Sequence, residues 1–97
     1  MEIREFQLLM KELYGANDAK RGTEKTMLWF YEECGELAEA MRKEDKAAVE
    51  EEMADVFAWM VSLANMMDID VERACLRKYP MKCTRCGKSP CECDDSV

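Results

Sequence analysis

Two acidic segments, residues 32–36 and 51–55, contain the side chains of this chain that are best suited to hold a metal ion. Acids in each segment stand three or four residues apart, so on a helix they share one face and repel one another. Lys and Arg are absent from residues 29–41 and 47–72, and neither segment therefore has a basic partner one turn away. Mg²⁺ or Mn²⁺ would supply the missing positive charge, because both ions favour carboxylate oxygens. The spacing thus predicts a divalent-metal site on two helices.

The alternative is a pair of ordinary solvated acidic faces, since a single segment of this kind is common in helices. Here 14 residues, 37–50, separate the two segments, and charged side chains at residues 42–46 mark a turn between them. That length lets two helices run antiparallel with their acids facing each other. The pairing favours a metal site over solvated faces.

The length and charge of the chain limit what else it can be. At 97 residues it forms one domain with a small core, and chains of this size often depend on a metal or on a second subunit, so we expect a homo-oligomer. The net charge of -7 disfavours nucleic-acid binding, which needs a basic surface. No apolar run approaches the roughly 18 residues of a membrane helix, and residues 1–5 do not resemble a signal peptide. We therefore expect a cytoplasmic protein with no membrane contact.

Apolar side chains recur at helical spacing in the elements that must position these acids. The pattern predicts helices at residues 2–14, 23–43, 45–67 and 70–78, with Gly15 ending the first and a polar connection over residues 16–22. No strand-like alternation occurs, so the predicted fold is an all-α bundle of about four helices around a central antiparallel hairpin. The predicted core residues are Ile3, Phe6, Met10, Leu13, Met27, Phe30, Cys34, Leu37, Ala38, Met41, Val49, Met53, Val56, Phe57, Met60, Ala64 and Met67.

Two aromatic residues lie close to the acids in sequence. Trp29 precedes Glu33 by one helical turn, and Trp59 follows Asp55 by one turn. Either indole could stack on a nucleobase in the same cleft, although packing between helices is the simpler role. The nine methionines fall mostly on the core stripes, where core packing or a subunit interface is expected.

The acids also form a two-part motif, ExxE followed at a distance by ExxD. Glu33 and Glu36 form the first part, and Glu52 and Asp55 form the second. Over about residues 1–80 the chain resembles the MazG-like, all-α nucleoside triphosphate pyrophosphohydrolases. The resemblance implies a compact helical bundle, dimeric or built from dimers, that hydrolyses a nucleotide between its α and β phosphates to a monophosphate and pyrophosphate.

The resemblance also implies the metal ligands, and the chemistry of a phosphorylated substrate suggests further candidate residues. The implied ligands of Mg²⁺ (or Mn²⁺) are Glu33, Glu36, Glu52 and Asp55. Glu32 and Glu51 are candidate catalytic residues that complete the metal shell or accept the proton of the attacking water, with a solvated role equally open. Lys78 is the first candidate for phosphate binding, and Trp29 and Trp59 are the candidates for base stacking. Weaker phosphate candidates are Lys20, Arg21 and Lys25.

The C-terminal segment carries four closely spaced cysteines in a C-x2-C-x4-C-x-C pattern. They are Cys83, Cys86, Cys91 and Cys93. Four thiolates with turn residues between the pairs suit a closed, structural, tetrahedral Zn²⁺ site. Disulfides are the alternative, but Cys91 and Cys93 are too close in sequence for an easy mutual bridge, and an iron centre stays open. Cys34 and Cys75 are expected to be ordinary buried thiols.

We therefore divide the chain into a MazG-like helical domain, residues 1–80, and a zinc-binding tail, residues 81–97. The leading functional hypothesis is a Mg²⁺-dependent nucleotide pyrophosphohydrolase that acts on NTP or dNTP in cleaning the nucleotide pool. One alternative is a non-catalytic helical adaptor whose zinc-stabilised tail binds a protein partner. Another is an enzyme like the phosphoribosyl-ATP pyrophosphohydrolases. The sequence does not specify the base or the sugar, because both depend on pocket shape.

Overall fold

Four α-helices followed by a cysteine-rich segment make up the computed structural model, which describes residues 1–94. The helices are α1 (Ile3–Arg21), α2 (Thr23–Arg42), α3 (Lys46–Met66) and α4 (Val71–Lys78). No strand occurs among the described residues, and the predicted all-α fold is confirmed. The last three residues of the predicted tail, 95–97, lie outside the described part. No helix within residues 1–94 is long and apolar enough to cross a bilayer.

The first helix is longer than the sequence pattern predicts. The predicted end at Gly15 is wrong: α1 continues to Arg21, and the predicted connection shrinks to Gly22. A glycine inside a helix costs only about 1 kcal/mol relative to alanine, which the following Ala and Lys residues can offset. The actual break is at Gly22, whose φ of 87° disfavours any residue with a side chain.

Helices α3 and α4 each begin after a capping aspartate, whereas α2 follows Gly22 and has no side-chain cap. Asp45 precedes α3 and accepts a hydrogen bond from the backbone N–H of Ala48 at 3.2 Å. Asp70 precedes α4 and accepts one from the backbone N–H of Arg73 at 3.1 Å. Each carboxylate satisfies an N–H group that the helix itself leaves unpaired.

Helices α2 and α3 form the central antiparallel hairpin, joined by the three-residue turn at residues 43–45, as predicted. Helix α1 packs mainly on α3, where the rings of Phe6 and Phe57 stack with centroids 5.4 Å apart. Gln7, buried on α1, donates to Asn65 Oδ1 at 3.0 Å and accepts from the backbone N–H of Val71 at 3.0 Å. This amide links α1 to α3 and to the start of α4.

The core of the single chain is smaller than the apolar stripes predict. Its buried hydrophobic residues are Met10, Ala40, Val61 and Ala64. The predicted core residues that are instead exposed are Ile3, Leu13, Met27, Ala38, Met41, Met53, Met60 and Met67. Among the described residues, α3 has extensive contacts only with α1 and α2. Val61 and Ala64 are therefore buried and Phe57 is half-buried, while Met53 and Met60 stay exposed.

Candidate active site and metal centres

Three carboxylates from the two central helices meet at one point. Glu33 and Glu36 come from one face of α2, and Glu52 comes from α3. One oxygen from each of the three lies within 4.8 Å of the others, which is close enough for a single ion to bind all three. The short turn between α2 and α3 produces this meeting, because it places the acidic faces of antiparallel neighbours opposite each other.

The three carboxylates of this group repel one another, and none of them forms a salt bridge within residues 1–94. Burial raises the pKa of Glu33 to about 7, with a further contribution from the negative charge of Glu36. Burial also raises the pKa of Glu52. Glu33 Oε2 and Glu52 Oε2 are buried without a hydrogen-bond partner in residues 1–94. Unpaired carboxylate oxygens at this density suit a hard divalent cation.

The remaining acids of the two segments lie around this group. Asp55 is not among the three converging carboxylates, although its charge contributes to the raised pKa of Glu33. Glu32 and Glu51 are both exposed and also lie outside the group. The structure therefore brings together three of the four predicted ligands, and the catalytic role of Glu32 and Glu51 stays a prediction.

A cavity of about 570 Å³ opens beside the acids, between α1, α2 and α3. Asp55 forms part of its wall and thus connects it to the carboxylate group. The other polar and aromatic residues of the wall include Asn17, Asp18, Arg21, Trp29 and Trp59. The volume falls within the range of sites that hold small organic ligands.

Both tryptophans of the chain lie in this cavity and contact each other. The rings of Trp29 and Trp59 meet edge to face with centroids 5.5 Å apart. Trp29 is 42% exposed, so part of its indole surface is accessible to a ligand. The structure thus brings together the two residues that the sequence suggests for base stacking, while that role itself stays a prediction.

Arg21 is a cavity residue to which the sequence assigned only a minor role. Its guanidinium carbon lies 4.7 Å from the ring centroid of Trp59 and 5.2 Å from that of Trp29. The sequence pattern predicts an end of the first helix near residue 14, which places Arg21 in a loop. In the structure α1 is longer, and Arg21 lies on it one turn after Asp18, with which it forms an ion pair. That i,i+3 spacing of opposite charges was the available signal.

Lys78 lies apart from this cavity. It is the exposed last residue of α4, a helix that packs against α1, and it does not form part of the cavity wall. Its predicted role in phosphate binding stays untested.

The four tail cysteines converge on a second point. The sulfur atoms of Cys83, Cys86, Cys91 and Cys93 all lie within 4.8 Å of one another. Cys83 Sγ and Cys93 Sγ are 3.7 Å apart, and Cys86 Sγ and Cys91 Sγ are 4.0 Å apart. A disulfide would require about 2.05 Å, whereas four sulfurs at about 2.3 Å from one Zn²⁺ are about 3.8 Å apart. The spacing is that of metal ligands.

Backbone N–H groups point at these sulfur atoms. Arg85 donates to Cys83 Sγ at 3.4 Å, and Glu92 donates to Cys86 Sγ at 3.4 Å. Backbone N–H donation, from Cys86 first, lowers the pKa of Cys83 to about 6. Neighbouring sulfurs, Cys91 first, raise the pKa of Cys93 to about 12. Four sulfurs that cannot all be ionised without a counter-charge suit a bound cation.

The two helical cysteines lie outside this cluster. Cys34 on α2 is half-buried, and Cys75 on α4 is exposed. The expected burial of Cys75 is wrong, because the short α4 covers only one side and leaves this residue facing solvent.

The fold and the acidic group together define an all-α protein with a cluster of carboxylates on a helical hairpin that is able to hold a metal ion. The family model of the MazG nucleotide pyrophosphohydrolase domain matches residues 21–86, well over half of the chain. The chain belongs to this family. The matched region contains α2, α3 and α4 and ends at Cys86, between the two cysteine pairs. No curated protein matches the chain.

Proposed function

We propose that this protein is a Mg²⁺-dependent nucleoside triphosphate pyrophosphohydrolase that cleaves NTP or dNTP between the α and β phosphates. The products are a nucleoside monophosphate and pyrophosphate. The observation that carries the proposal is the approach of Glu33, Glu36 and Glu52 to within 4.8 Å of one another. Membership of the MazG family supports the reaction class.

The donor set fits Mg²⁺ or Mn²⁺. It consists of carboxylate oxygens alone, two of which are buried and unpartnered within the described residues. Asp55, one turn beyond Glu52, is the proposed fourth ligand. A bound cation there would neutralise a polyphosphate and lower the pKa of a bound water.

The cavity next to these acids is the proposed binding place of the nucleoside. Asp55 belongs to the cavity wall, so a nucleotide that enters with its phosphates at the carboxylates has its base and sugar near the two tryptophans. Stacking on an indole is sequence-tolerant and contributes about 1–3 kcal/mol per base. Lys78 is retained as the candidate for the distal phosphates.

The deciding experiment is incubation with a panel of NTPs and dNTPs and Mg²⁺, scored for pyrophosphate against orthophosphate. We expect pyrophosphate and the monophosphate. E36Q and D55N should lower turnover about a hundredfold or more, since disturbing even a neighbour of a metal ligand costs up to about 100-fold.

The matched control is E39Q, because Glu39 lies one turn from Glu36 on α2 but pairs with Lys43 at the surface. It should retain activity. Full Mg²⁺-dependent turnover in both E36Q and D55N would contradict the proposal, and an inactive wild-type protein would favour the non-catalytic adaptor.

Glu32 and Glu51 are proposed to take part in proton transfer from the attacking water. If either does so without holding the cation, E32Q or E51Q should lower kcat while leaving Mg²⁺ binding unchanged. Mg²⁺ binding is measured as the rise in melting temperature on adding the ion. Unchanged kcat in both variants would assign these residues to the solvated surface.

We propose further that Cys83, Cys86, Cys91 and Cys93 hold one structural Zn²⁺. The closed set of four sulfurs leaves no position for a water or a substrate, which favours a structural site over a catalytic one. Elemental analysis of the protein as purified should give one zinc per chain, and C83S should lose it. C75S is the matched control, because Cys75 is an exposed thiol outside the cluster. Iron in place of zinc would correct the metal assignment.

The proposed state in solution is a homodimer or a dimer of dimers. Among the large apolar side chains of residues 1–94 only Met10 and Val61 are buried, whereas many are exposed. A monomer with so little covered apolar surface would be marginally stable. A second copy of the chain is the simplest way to cover the remaining apolar side chains.

A further inference from the structure

Arg21 is held in place by two buried neighbours. One terminal nitrogen, Nη2, pairs with Asp18 Oδ1, and Nε donates to Thr26 Oγ1 at 3.0 Å. Asp18 is 2% exposed, Thr26 is fully buried, and the Thr26 hydroxyl in turn donates to the backbone carbonyl of Gly22 at 2.7 Å. The end of α1 and the start of α2 thus fix the guanidinium in one orientation.

This arrangement leaves one end of the guanidinium available to a ligand. The other terminal nitrogen, Nη1, makes no hydrogen bond within residues 1–94. The group lies against both tryptophan rings and is the one basic side chain among the described residues that line the cavity. A planar donor held against aromatic faces presents its N–H groups in a fixed direction.

The charge balance at Arg21 favours a neutral acceptor over a phosphate. Asp18 offsets the positive charge at close range, so the pair attracts an anion weakly while its N–H donors keep their direction. Asp55 and the carboxylate group mark the proposed phosphate end of the cavity, whereas Arg21 lies against the two tryptophan rings, which are the proposed base-stacking residues. The acceptor that fits a stacked, neutral nucleobase is a ring carbonyl oxygen.

We propose that Arg21 is a specificity-determining residue that donates a hydrogen bond from Nη1 to a ring carbonyl of the bound nucleobase. The proposal rests on the proposed function for the location of the phosphates. The favoured substrates are nucleotides of uracil, thymine, cytosine and guanine, each of which carries such an oxygen. Adenine has none and is the disfavoured base.

The test uses non-hydrolysable α,β-imido analogues of dUTP, dTTP, dCTP, dGTP and dATP with Mg²⁺. Their binding is followed by intrinsic fluorescence, because the only two tryptophans of the chain, Trp29 and Trp59, both line the cavity. Wild-type protein should bind the four carbonyl-bearing analogues about tenfold more tightly than the dATP analogue, as one hydrogen bond to a charged donor allows. R21K should remove this preference, because an ammonium cannot hold Asp18, Thr26 and a base together in fork geometry.

Loss of Arg21 leaves a buried carboxylate unpaired, so a second variant guards against misfolding. The double variant D18N with R21Q removes both charges and should show the same loss of preference. K11M is the matched control: Lys11 is an exposed basic residue of α1 that does not line this cavity, and the preference should persist.

Equal weakening of all five analogues by R21K would assign Arg21 to the phosphates, and no change would make its pairing purely structural; either result overturns the proposal. So does a wild-type protein that binds all five analogues equally or binds none. Failure of the proposed function is seen separately, as absence of hydrolysis of the natural triphosphates, because the binding titration needs no turnover.

Discussion

Glu33 on α2 and Glu52 on α3 each bury one carboxylate oxygen that has no hydrogen-bond partner in residues 1–94, and the two side chains face each other across the helical hairpin. A buried, unpartnered carboxylate is unfavourable, and two that face each other add Coulomb repulsion. In the absence of a cation, these two costs lower the stability of the hairpin around Glu33 and Glu52. The binding of a divalent cation removes both costs.

The first prediction follows from that repulsion. In EDTA, E33Q should melt at a higher temperature than wild type, because a neutral amide replaces the most strongly perturbed carboxylate of the group. Added Mg²⁺ should raise the melting temperature of wild type and should raise that of E33Q much less. Thermal unfolding followed by circular dichroism measures both shifts.

The control for this prediction is E39Q, which removes one negative charge from the same helix at an exposed site. It should show the wild-type response to Mg²⁺. An equal Mg²⁺ response in wild type and E33Q would mean that Glu33 does not hold the ion.

The second prediction concerns the tail. Its hydrogen bonds, such as Cys83 N–H to the Lys88 carbonyl at 3.0 Å and Gly87 N–H to the Cys83 carbonyl at 2.9 Å, join tail residues to one another. Chelation of the metal should therefore abolish tail order while helical content changes little. Replacement by Co²⁺ should give the visible absorption of tetrahedral sulfur ligation, and an octahedral spectrum would contradict the four-sulfur site.

Truncation after Pro80 separates two further roles of the tail. A smaller number of chains per oligomer, measured by light scattering, would place the tail in the subunit interface. A lowered melting temperature with an unchanged number of chains would mean that the tail stabilises the bundle. An unchanged oligomer with unchanged activity would count against both roles.

The third prediction concerns the apolar surface of α2. Leu28 and Tyr31 lie one turn apart on α2 and are 70% and 74% exposed. Light scattering should give two or four times the 11.3 kDa chain mass for wild type, and L28K with Y31K should shift the mass toward one chain. L76K, at an exposed position on α4, should leave the mass unchanged. A wild-type monomer at all concentrations would contradict the proposed oligomer.

The helices and the acidic group were predictable from local sequence patterns. Asp45 and Asp70 are recognisable as caps, and acids three residues apart share a helix face whatever the tertiary structure. The convergence of Glu33 with Glu52 follows from the short turn between two helices. These features depend on residues that are close together in the sequence, so the sequence of one chain is sufficient to predict them.

The cavity and the extent of the core were not predictable in the same way. Gly15 is a weak stop signal, and the contacts of Arg21 with Asp18 and Thr26 help the helix to run on to Arg21. Met27 and Met53 lie on apolar stripes that the sequence pattern identifies, but both side chains are exposed because no other element within residues 1–94 covers them. Local patterns specify which face is apolar, but not which neighbour covers it.

The fourth prediction is a pH dependence that comes from the cap of α4. Asp70 accepts the backbone N–H of Arg73 and pairs with Arg4 Nε at 2.9 Å, and these two contacts, the backbone one first, lower its pKa below the usual 3.8. A carboxyl with a lower pKa in the folded state stabilises the fold above its unfolded pKa and loses that contribution as the pH falls through the folded value. The contribution of Asp70 should therefore be complete at about pH 7 and should fade below about pH 4.

Two substitutions of Asp70 separate the stabilisation that comes from its charge from the stabilisation that comes from its role as a helix cap. Asn is as good an N-cap as Asp but cannot form the ion pair, so D70N should lose the pH-dependent part while D70A loses the cap as well. The melting temperature of wild type should exceed that of D70N at about pH 7, and the two should converge at about pH 3. D68N, a change at an exposed aspartate outside the cap, should follow wild type throughout. A constant difference between wild type and D70N over the whole pH range would show that the charge of Asp70 has no part in holding α4 to α1.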